Sequence, residues 1–439
     1  MRRYANILGG LAALGLAGLG CNPADFDDLA DQAWADSQDP GGNSTNSNIA
    51  IGFAPRNDPL PRAQMIVLGD SAPTMQRFDY STSGSFSKAA ISDVRTVVDN
   101  AANGAELRFA RNREAGLAVA VLRRSNNNYQ LFGDLGEAVD GDTVVNPPVI
   151  LESGLGDADD DQDVRYQAIA VGGGEFGTVD PEATFAGIGP LVDEPSGSQW
   201  LEAFDLNETR TALQCEFRPG DEVPPAPNYT LNPGLAVLGG SDADQSNSRY
   251  LVATDFGLRI VGFPVDPLTH CFTGEVDSKS VLVDGQLESG RFIGGSGQDA
   301  FGAQLGTAVL VAVDYDPGVG GFGAFADTFG ILAPSGVSAE WGSSLAVGDF
   351  DDDGDAELAV GDPTESTVYI YELDINNATA ELVKTITPLE SRNGFGKSLA
   401  AVPFDENDKD LLVVGTDSDV ITYFRIFTDD ESPSDRDPR

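Results

Sequence analysis

The chain has 439 residues, among them 51 glycines and 25 prolines, and its formal net charge is −44 at pH 7. That charge opposes binding to nucleic acid and to anionic membrane surfaces, and it favours divalent cations and cationic partners. The many glycines and prolines, with short runs of Val, Ala, Thr and Phe between them, are typical of strands joined by turns. After Gly20 no segment sustains a long apolar helical period, so the sequence predicts an all-β protein.

The segment 1–20 has the pattern of a secretory signal peptide. Arg2 and Arg3 precede an uncharged stretch over 7–20, which is too short to span a membrane as a stable helix. Cys21 follows small residues and resembles the acylated cysteine of bacterial lipoproteins. The resemblance implies export and a lipid anchor as the only membrane contact, and Asn22 after the cysteine favours the outer membrane, facing the periplasm or the cell surface. Simple secretion is the alternative.

Both ends of the mature chain have the composition of disordered segments. Residues 21–47 are acidic and then rich in Gly, Ser and Asn, which predicts a lipidated disordered tether. Residues 429–439 are predicted to form a disordered acidic tail. The folded domain is therefore expected over 48–428.

Short apolar runs recur through this domain. Their centres are Val67, Ala120, Ala170, Val252, Val311, Val360 and Val414. All intervals but one are roughly 50 to 60 residues, which is the range of propeller blades. The long interval contains a Pro- and Gly-rich acidic segment at 218–233, so we interpret about 172–233 as an insertion whose aromatic residues serve recognition. The alternative is that these aromatic residues pack the outer strands of the third blade.

An acidic run precedes the third apolar centre and is a weak candidate for a calcium loop. Its alternating carboxylates are Asp157, Asp159 and Asp161. Gln162 replaces the turn glycine, and Arg165 stands where a further carboxylate belongs. The alternative is a solvated turn.

Two cysteines remain after Cys21. In an exported domain Cys215 and Cys271 suggest a disulfide. The alternative is two separate buried thiols, because their spacing along the chain is close to one repeat and equivalent positions on adjacent blades can be too far apart to bridge.

The segment 341–363, WGSSLAVGDFDDDGDAELAVGDP, consists of two apolar runs joined by an acidic loop. Carboxylates at every second position converge when the backbone curls, and Gly354 permits the sharp turn, so the loop predicts a calcium site between two strands. The candidate ligands are Asp349, Asp351, Asp353, the backbone carbonyl of Asp355, and Glu357. An EF-hand would require Glu where Val360 stands, and a solvated acidic hairpin without metal is the other alternative.

Trp341–Gly342 before the first run, the DxDxDG loop and the ending Val-Gly-Asp-Pro together resemble an FG-GAP repeat. This repeat builds the seven-bladed β-propeller of integrin α chains and of many bacterial surface proteins. Phe395–Gly396 restarts the pattern further along the chain, with Pro403 in place of the first ligand, and Phe301–Gly302 starts it earlier with the acidic loop deleted. The resemblance implies a seven-bladed β-propeller of FG-GAP-like repeats with calcium-binding inter-strand loops.

The sequence indicates no catalytic group. His270 is the only histidine, and it adjoins Cys271, so on a strand the two side chains would point to opposite faces. The 70 acidic residues leave a catalytic carboxylate pair open. We therefore expect a monomeric, calcium-stabilised binding or adhesion module for a protein or glycan ligand at the cell surface. The alternatives are a carbohydrate-active hydrolase or lyase, and an outer-membrane assembly scaffold.

Overall fold

The computed structural model describes residues 34–38, 46–53, 63–69, 75–81, 85–88, 107–111, 118–123, 129–132, 149–151, 168–172, 183–190, 199–207, 210–217, 231–238, 249–254, 257–262, 272–275, 283–290, 298–316, 324–350, 357–374, 377–388, 391–403, 410–417 and 420–425. Throughout these ranges the regular elements are strands, 28 in all, and no helix occurs among them. The predicted all-β class is thus confirmed for the described residues. None of them belongs to an apolar helix long enough to cross a membrane.

The strands form seven four-stranded sheets in which neighbouring strands are antiparallel. Sheet 1 consists of β2 (Asn46–Phe53), β3 (Ala63–Gly69), β4 (Met75–Ser81) and β5 (Ser85–Lys88), and sheet 2 of β6 (Leu107–Arg111), β7 (Ala118–Arg123), β8 (Tyr129–Phe132) and β9 (Val149–Leu151). Sheet 3 consists of β10 (Ala168–Gly172), β11 (Ala183–Pro190), β12 (Gln199–Asn207) and β13 (Arg210–Phe217), and sheet 4 of β14 (Leu231–Leu238), β15 (Arg249–Thr254), β16 (Gly257–Gly262) and β17 (Phe272–Glu275).

The last three sheets follow the same order. Sheet 5 consists of β18 (Leu287–Gly290), β19 (Gln298–Gln304), β20 (Ala308–Asp316) and β21 (Ala324–Leu332), and sheet 6 of β22 (Leu345–Gly348), β23 (Glu357–Asp362), β24 (Thr367–Asp374) and β25 (Thr379–Ile386). Sheet 7 consists of β26 (Ser398–Pro403), β27 (Asp410–Gly415), β28 (Val420–Arg425) and, as its fourth strand, β1 (Trp34–Gln38).

Consecutive sheets are neighbours in space, and the last sheet meets the first. The first strand of each sheet contacts the first strand of the next, and β26 of sheet 7 contacts β2 of sheet 1. Sheet 7 also combines both ends of the described chain, because β1 pairs with β28, with Ser37 opposite Ile421. Every sheet therefore has a neighbour on both sides, an arrangement consistent with a β-propeller.

The strand β1 corrects the predicted extent of the disordered tether. Residues 21–47 were expected to lack structure, but Trp34–Gln38 forms a strand and β2 begins at Asn46. The segment WADSQ has no apolar run of its own that would signal a strand. Its partner is the edge of β28, so the pairing depends on a contact between distant parts of the sequence, which local composition does not reveal.

The seven predicted strand centres fall in seven different sheets, but not all at the same position. Five lie in the second strand of their sheet, whereas Ala170 lies in the first strand of sheet 3 and Val311 in the third strand of sheet 5. An apolar run of this length marks a buried strand without revealing its order in the sheet. The long interval between Ala170 and Val252 follows from this difference in position.

The segment predicted as an insertion is mostly regular sheet. Within 172–233 lie β11, β12 and β13, three of the four strands of sheet 3. The beginning of β14 also falls inside it, because that strand starts at Leu231. An inserted loop can therefore lie only in the connections between these strands. The longest of them, over 218–230, lies outside the described residues.

Phe301–Gly302 does not begin a sheet, contrary to the repeat alignment. Both residues lie inside β19, where Gly302 pairs with Leu287 and with Leu310. Phe301 is fully buried, and a Cβ on Gly302 would lie 2.8 Å from Cγ2 of Val283. The aromatic–glycine pair therefore serves packing of the second strand of sheet 5 here, and this different role explains the misalignment.

The cores lie between adjacent sheets. One apolar cluster joins sheets 5 and 6 and includes Phe301, Val311, Trp341, Leu358 and Tyr371. A second joins sheets 6 and 7, and a third joins sheets 4 and 5. Since each buried large apolar side chain contributes roughly 1.5–3 kcal/mol, these sheet-on-sheet interfaces supply the main stabilisation of the described region.

The joint between sheets 6 and 7 brings two backbones unusually close. The hydroxyl of Ser344 donates to the carbonyl of Gly396 at 2.6 Å. A Cβ on Gly361 would lie 2.1 Å from that same carbonyl oxygen and 2.2 Å from the Ser344 Oγ. Gly396 has a backbone φ of +88°, a conformation that residues with a side chain rarely adopt. Glycine is thus required on both sides of the joint.

We predict that Gly361→Ala destabilises the protein by roughly 3 kcal/mol or more, because the backbone atoms that its Cβ would meet cannot rotate away. Gly330→Ala is the matched control, since nothing lies within 4 Å of its Cβ position. Urea unfolding of both variants checks the prediction. Equal midpoints for the two variants would contradict the close approach at the joint.

Candidate metal centre in the β22–β23 hairpin

The candidate calcium loop connects the first two strands of sheet 6. β22 and β23 pair in regular register from Leu345 opposite Val360 to Gly348 opposite Glu357. All residues of both strands are buried. The connection begins at Asp349, and its central part, with Asp351, Asp353 and Asp355, lies outside the described residues. The structure thus describes the two ends of the predicted site.

A hydrogen bond joins these two ends. The amide of Phe350 donates to Oε2 of Glu357 at 2.6 Å. The Phe350 side chain is 1% exposed and packs in the cluster between sheets 6 and 7. Phe350 therefore holds the start of the loop against the core, where its amide faces the glutamate at the loop's end.

The Glu357 carboxylate is deeply buried, with 1% exposure. A buried carboxylate is costly unless hydrogen bonds or a positive charge compensate it. The Phe350 amide supplies one such bond, and Asp349 lies next to Phe350 in the chain. Carboxylates held at a loop entrance and exit are the oxygen donors that Ca²⁺ takes in proteins, so the described part of the donor set fits the ion.

The rest of the predicted donor set rests on the sequence alone. Within the described ranges no group of three or more His, Cys, Asp or Glu side chains is gathered closely enough to hold a metal ion. The three remaining predicted ligands lie in the segment 351–356, outside those ranges. Asp349 and Glu357 are therefore the predicted ligands that the structure places at one hairpin.

A second buried carboxylate occupies the opposite end of the same sheet. Asp362, fully buried, is the last residue of β23, at the turn into β24. Its two oxygens accept from the Ser338 amide at 2.8 Å and the Ser338 hydroxyl at 2.5 Å, and Oδ1 also accepts from the Glu365 amide at 3.3 Å. Thr364 donates to Glu340 nearby. These bonds fasten the connector over 333–340, which links sheets 5 and 6.

This carboxylate also affects the tyrosines of β24. Burial raises the pKa of Tyr369, and the charges of Asp362 and Glu365 raise it further. Burial likewise raises the pKa of Tyr371, and Tyr369 adds to the effect. Sequence reasoning missed Asp362 as a structural anchor, although the Gly-Asp-Pro ending of the repeat was the available signal.

The weaker predicted loop occupies a different place in its sheet. Asp157, Asp159 and Asp161 lie outside the described residues, in the connection that leads from sheet 2 to β10. Because β10 is the first strand of sheet 3, this connection precedes the sheet, whereas the loop of sheet 6 joins a first and a second strand. The two segments are therefore not equivalent positions of one repeat.

Strand register also locates the equivalents of Glu357 in neighbouring sheets. In sheet 7 Asp410 stands opposite Pro403, the last residue of the first strand, as Glu357 stands opposite Gly348 in sheet 6. Arg249 stands opposite Leu238, the last residue of the first strand of sheet 4. Sheet 7 therefore has a carboxylate at this position, and sheet 4 does not.

Of the two candidate disulfide partners, the structure places one. Cys215 lies in β13 opposite Ala203, the outermost strand pair of sheet 3. Cys271 and the proposed lipidation residue Cys21 lie outside the described residues. The pairing of Cys215 with Cys271 stays a prediction.

Residues 341–372 match the family model of the FG-GAP repeat. The match begins at Trp341, covers the acidic loop and ends in β24, so the predicted FG-GAP repeat is confirmed over these residues. No curated protein sequence matches the chain. A repeat of this family in a chain whose described residues form only strands suggests a module of the binding or adhesion type.

We predict that Asp362→Asn destabilises the protein by about 1.5–3 kcal/mol, because the neutral amide weakens the hydrogen bonds from Ser338 and Glu365. It should also lower the pKa of Tyr369, since a nearby negative charge is lost. Urea unfolding and the absorbance titration of the tyrosines measure the two effects.

The exposed Asp327 of β21 offers a matched control, since its carboxylate accepts from the adjacent Thr328 amide. Asp327→Asn should leave both properties nearly unchanged. An anchoring role for Asp362 is refuted if the two variants behave alike.

Proposed function

We propose that the chain is a calcium-stabilised, seven-bladed β-propeller of FG-GAP-like repeats that acts as a non-catalytic binding or adhesion module. The seven four-stranded sheets, each next to its neighbours, support the propeller. The pairing of β1 with β28 supports closure of the ring of sheets, because sheet 7 then contains strands from both ends of the described chain.

The observation that carries the calcium proposal is the buried Glu357 carboxylate at the exit of the acidic loop, bonded to the Phe350 amide at its entrance. Asp349, Asp351, Asp353, the carbonyl of Asp355, and Glu357 would hold the ion. Bound calcium would supply positive charge that offsets the repulsion among these carboxylates. The effect is structural: it fixes the hairpin, and with it the packing of Phe350 between sheets 6 and 7.

The partner we propose is a protein or a glycan at the cell surface. The support is the FG-GAP repeat itself, which is a family-level argument. A hydrolase or lyase with acidic residues on one face of the ring, and a scaffold for outer-membrane assembly, are the competing roles. The experiments below separate them by activity and by the nature of the captured partner.

We also propose export through the N-terminal signal and attachment to the outer membrane through lipid on Cys21. The support is the sequence pattern, in which Arg2 and Arg3, an apolar stretch and small residues precede the cysteine. The acidic character of the chain agrees with a lipid anchor as the only membrane contact, because its net charge of −44 opposes binding to anionic lipid surfaces.

Calcium should stabilise the wild-type protein by about 1.4–2.7 kcal/mol at roughly 10 mM, given the dissociation constants of about 10⁻⁴–10⁻³ M typical of extracellular modules. Asp351→Ala and Glu357→Gln should lose this gain, and Asp351→Ala should cost little in chelator because it relieves repulsion. Thermal unfolding with calcium and with chelator measures the difference.

Glu381→Gln is the control for charge alone, since Glu381 is exposed on the outer strand β25. It should retain the full calcium response. Equal calcium shifts in the wild type and in both site variants would place the ion elsewhere.

Cys21→Ala should release the protein from the membrane fraction into the soluble fraction, because the acylated thiol is the proposed anchor. Fractionation of cells, followed by mass measurement of the mature N-terminus, checks this expectation. Continued membrane association of the variant would count against the lipid anchor.

Deleting residues 219–229, between β13 and β14, should weaken capture of a partner from the protein's own cell envelope and leave the thermal unfolding and the calcium response unchanged. This deletion spares both strands, which end at Phe217 and begin at Leu231. A pull-down with tagged wild-type and deleted protein makes the comparison. Undiminished capture refutes the recognition role of this connection, and loss of a hydrolytic or lyase activity would support the enzyme.

A further inference from the structure

The contacts between sheets 5, 6 and 7 define two sides of these sheets. Ser344 precedes β22 and bonds to Gly396, which precedes β26, so both first strands begin at this joint. In the same way Gln286, just before β18, bonds to the first residue of β22. We call this the connector side, because the connectors between sheets reach the next first strand there. The opposite side, where β22 ends and the acidic loop begins, is the loop side.

The strand register of sheet 7 fixes the direction of β1. The amide of Gly396 donates to the carbonyl of Gly415, so β27 ends on the connector side. Val420 pairs with Gly415, so β28 begins on the connector side and ends at Arg425 on the loop side. β1 is antiparallel to β28, and its first residue, Trp34, stands opposite Arg425. The chain therefore enters β1 on the loop side, the same side as the acidic loop of sheet 6.

Only a short segment separates β1 from Cys21, the proposed lipid attachment site. Both Cys21 and the twelve residues 22–33 lie outside the described residues, so the bound on their reach uses only the number of residues. A chain spans at most about 3.6 Å per residue, which places Cys21 within roughly 45 Å of Trp34 in any conformation. The anchor is therefore close to the loop side of sheet 7.

The height of the sheets makes the opposite orientation unfavourable. The eight-residue strand β24 runs from one side of sheet 6 to the other, over about 25 Å. If the connector side were turned to the membrane, the segment 22–33 would have to run along this height before it reached the lipid surface. That path would use more than half of its greatest possible reach.

We propose that the lipid on Cys21 holds the protein with the loop side towards the membrane and the connector side away from it. This inference rests on the lipid anchor of the proposed function, whereas the direction of β1 comes from the described strands. The net charge of −44 opposes adhesion of the sheets themselves to an anionic lipid surface. The place where the chain enters sheet 7 therefore decides the orientation.

The orientation also concerns the connection over 218–230, to which the proposed function assigns recognition. Sheet 3 has the same antiparallel order of four strands, so β13 ends where β10 begins. The connection that follows β13 thus leaves sheet 3 at the end that corresponds to the connector side. A partner captured there approaches from the solvent, which fits an adhesion ligand better than an assembly partner embedded in the same membrane.

Quenching from the membrane tests the orientation on the full-length lipoprotein in vesicles of phosphatidylethanolamine and phosphatidylglycerol. An azide-bearing residue, coupled to a fluorophore, replaces one of two exposed residues: Thr379, where β25 begins on the loop side, or Ser335, in the connector between sheets 5 and 6. With a quencher on the lipid head groups, the label at 379 should be quenched roughly twofold more strongly, because the two sides lie about 25 Å apart. Equal quenching, or stronger quenching at 335, would overturn the orientation.

Flotation of the same vesicles separates a failure of the anchor from a failure of the orientation. Protein that does not float would refute the lipid anchor and this proposal with it, whereas floating protein with equally quenched labels refutes the orientation alone. Inserting about thirty Gly and Ser residues between Cys21 and Trp34 should preserve flotation and reduce the difference between the labels, because a longer flexible segment no longer limits the orientation. A difference that survives the insertion would overturn the role of the short segment.

Discussion

The structure depends on how closely adjacent sheets can approach each other. At the joint between sheets 6 and 7, the carbonyl of Gly396 accepts from Ser344 and leaves no space for a side chain on Gly361. The previous joint uses another side chain at the equivalent position: Gln286 accepts from the Leu345 amide at 2.8 Å. In both cases a polar side chain just before a first strand contacts the backbone of the next sheet. Apolar clusters then fill the space between the sheets.

Sheet 6 has a buried carboxylate at each end, and the two have different partners. Asp362 is satisfied by the amide and hydroxyl of Ser338, so it fastens the connector between sheets without any ion. Glu357 lies beside a loop of further acids and receives the Phe350 amide. Hydrogen-bond donors offset the first charge, and in the proposed function a calcium ion offsets the second. In the proposed function the same motif thus combines a purely protein anchor with a metal-dependent one.

The sequence predicted the fold class and the FG-GAP repeat because their signals are local. Glycine at 342 and 361, the alternating aspartates and the apolar runs on both sides all lie within 341–372. The position of each strand within its sheet was not predictable, since Ala170 and Val311 lie in apolar runs like those of the second strands. β1 was missed because WADSQ becomes a strand only through its pairing with β28.

The central claim is that a cation at the acidic loop holds the β22–β23 hairpin closed. Hydrogen exchange of the wild-type protein, followed peptide by peptide with calcium and with chelator, tests it most directly. The account predicts that calcium slows exchange within 345–362, including the Phe350 amide that bonds to Glu357, and leaves the β18–β19 hairpin of sheet 5 unchanged. Identical exchange of 345–362 under both conditions would contradict it.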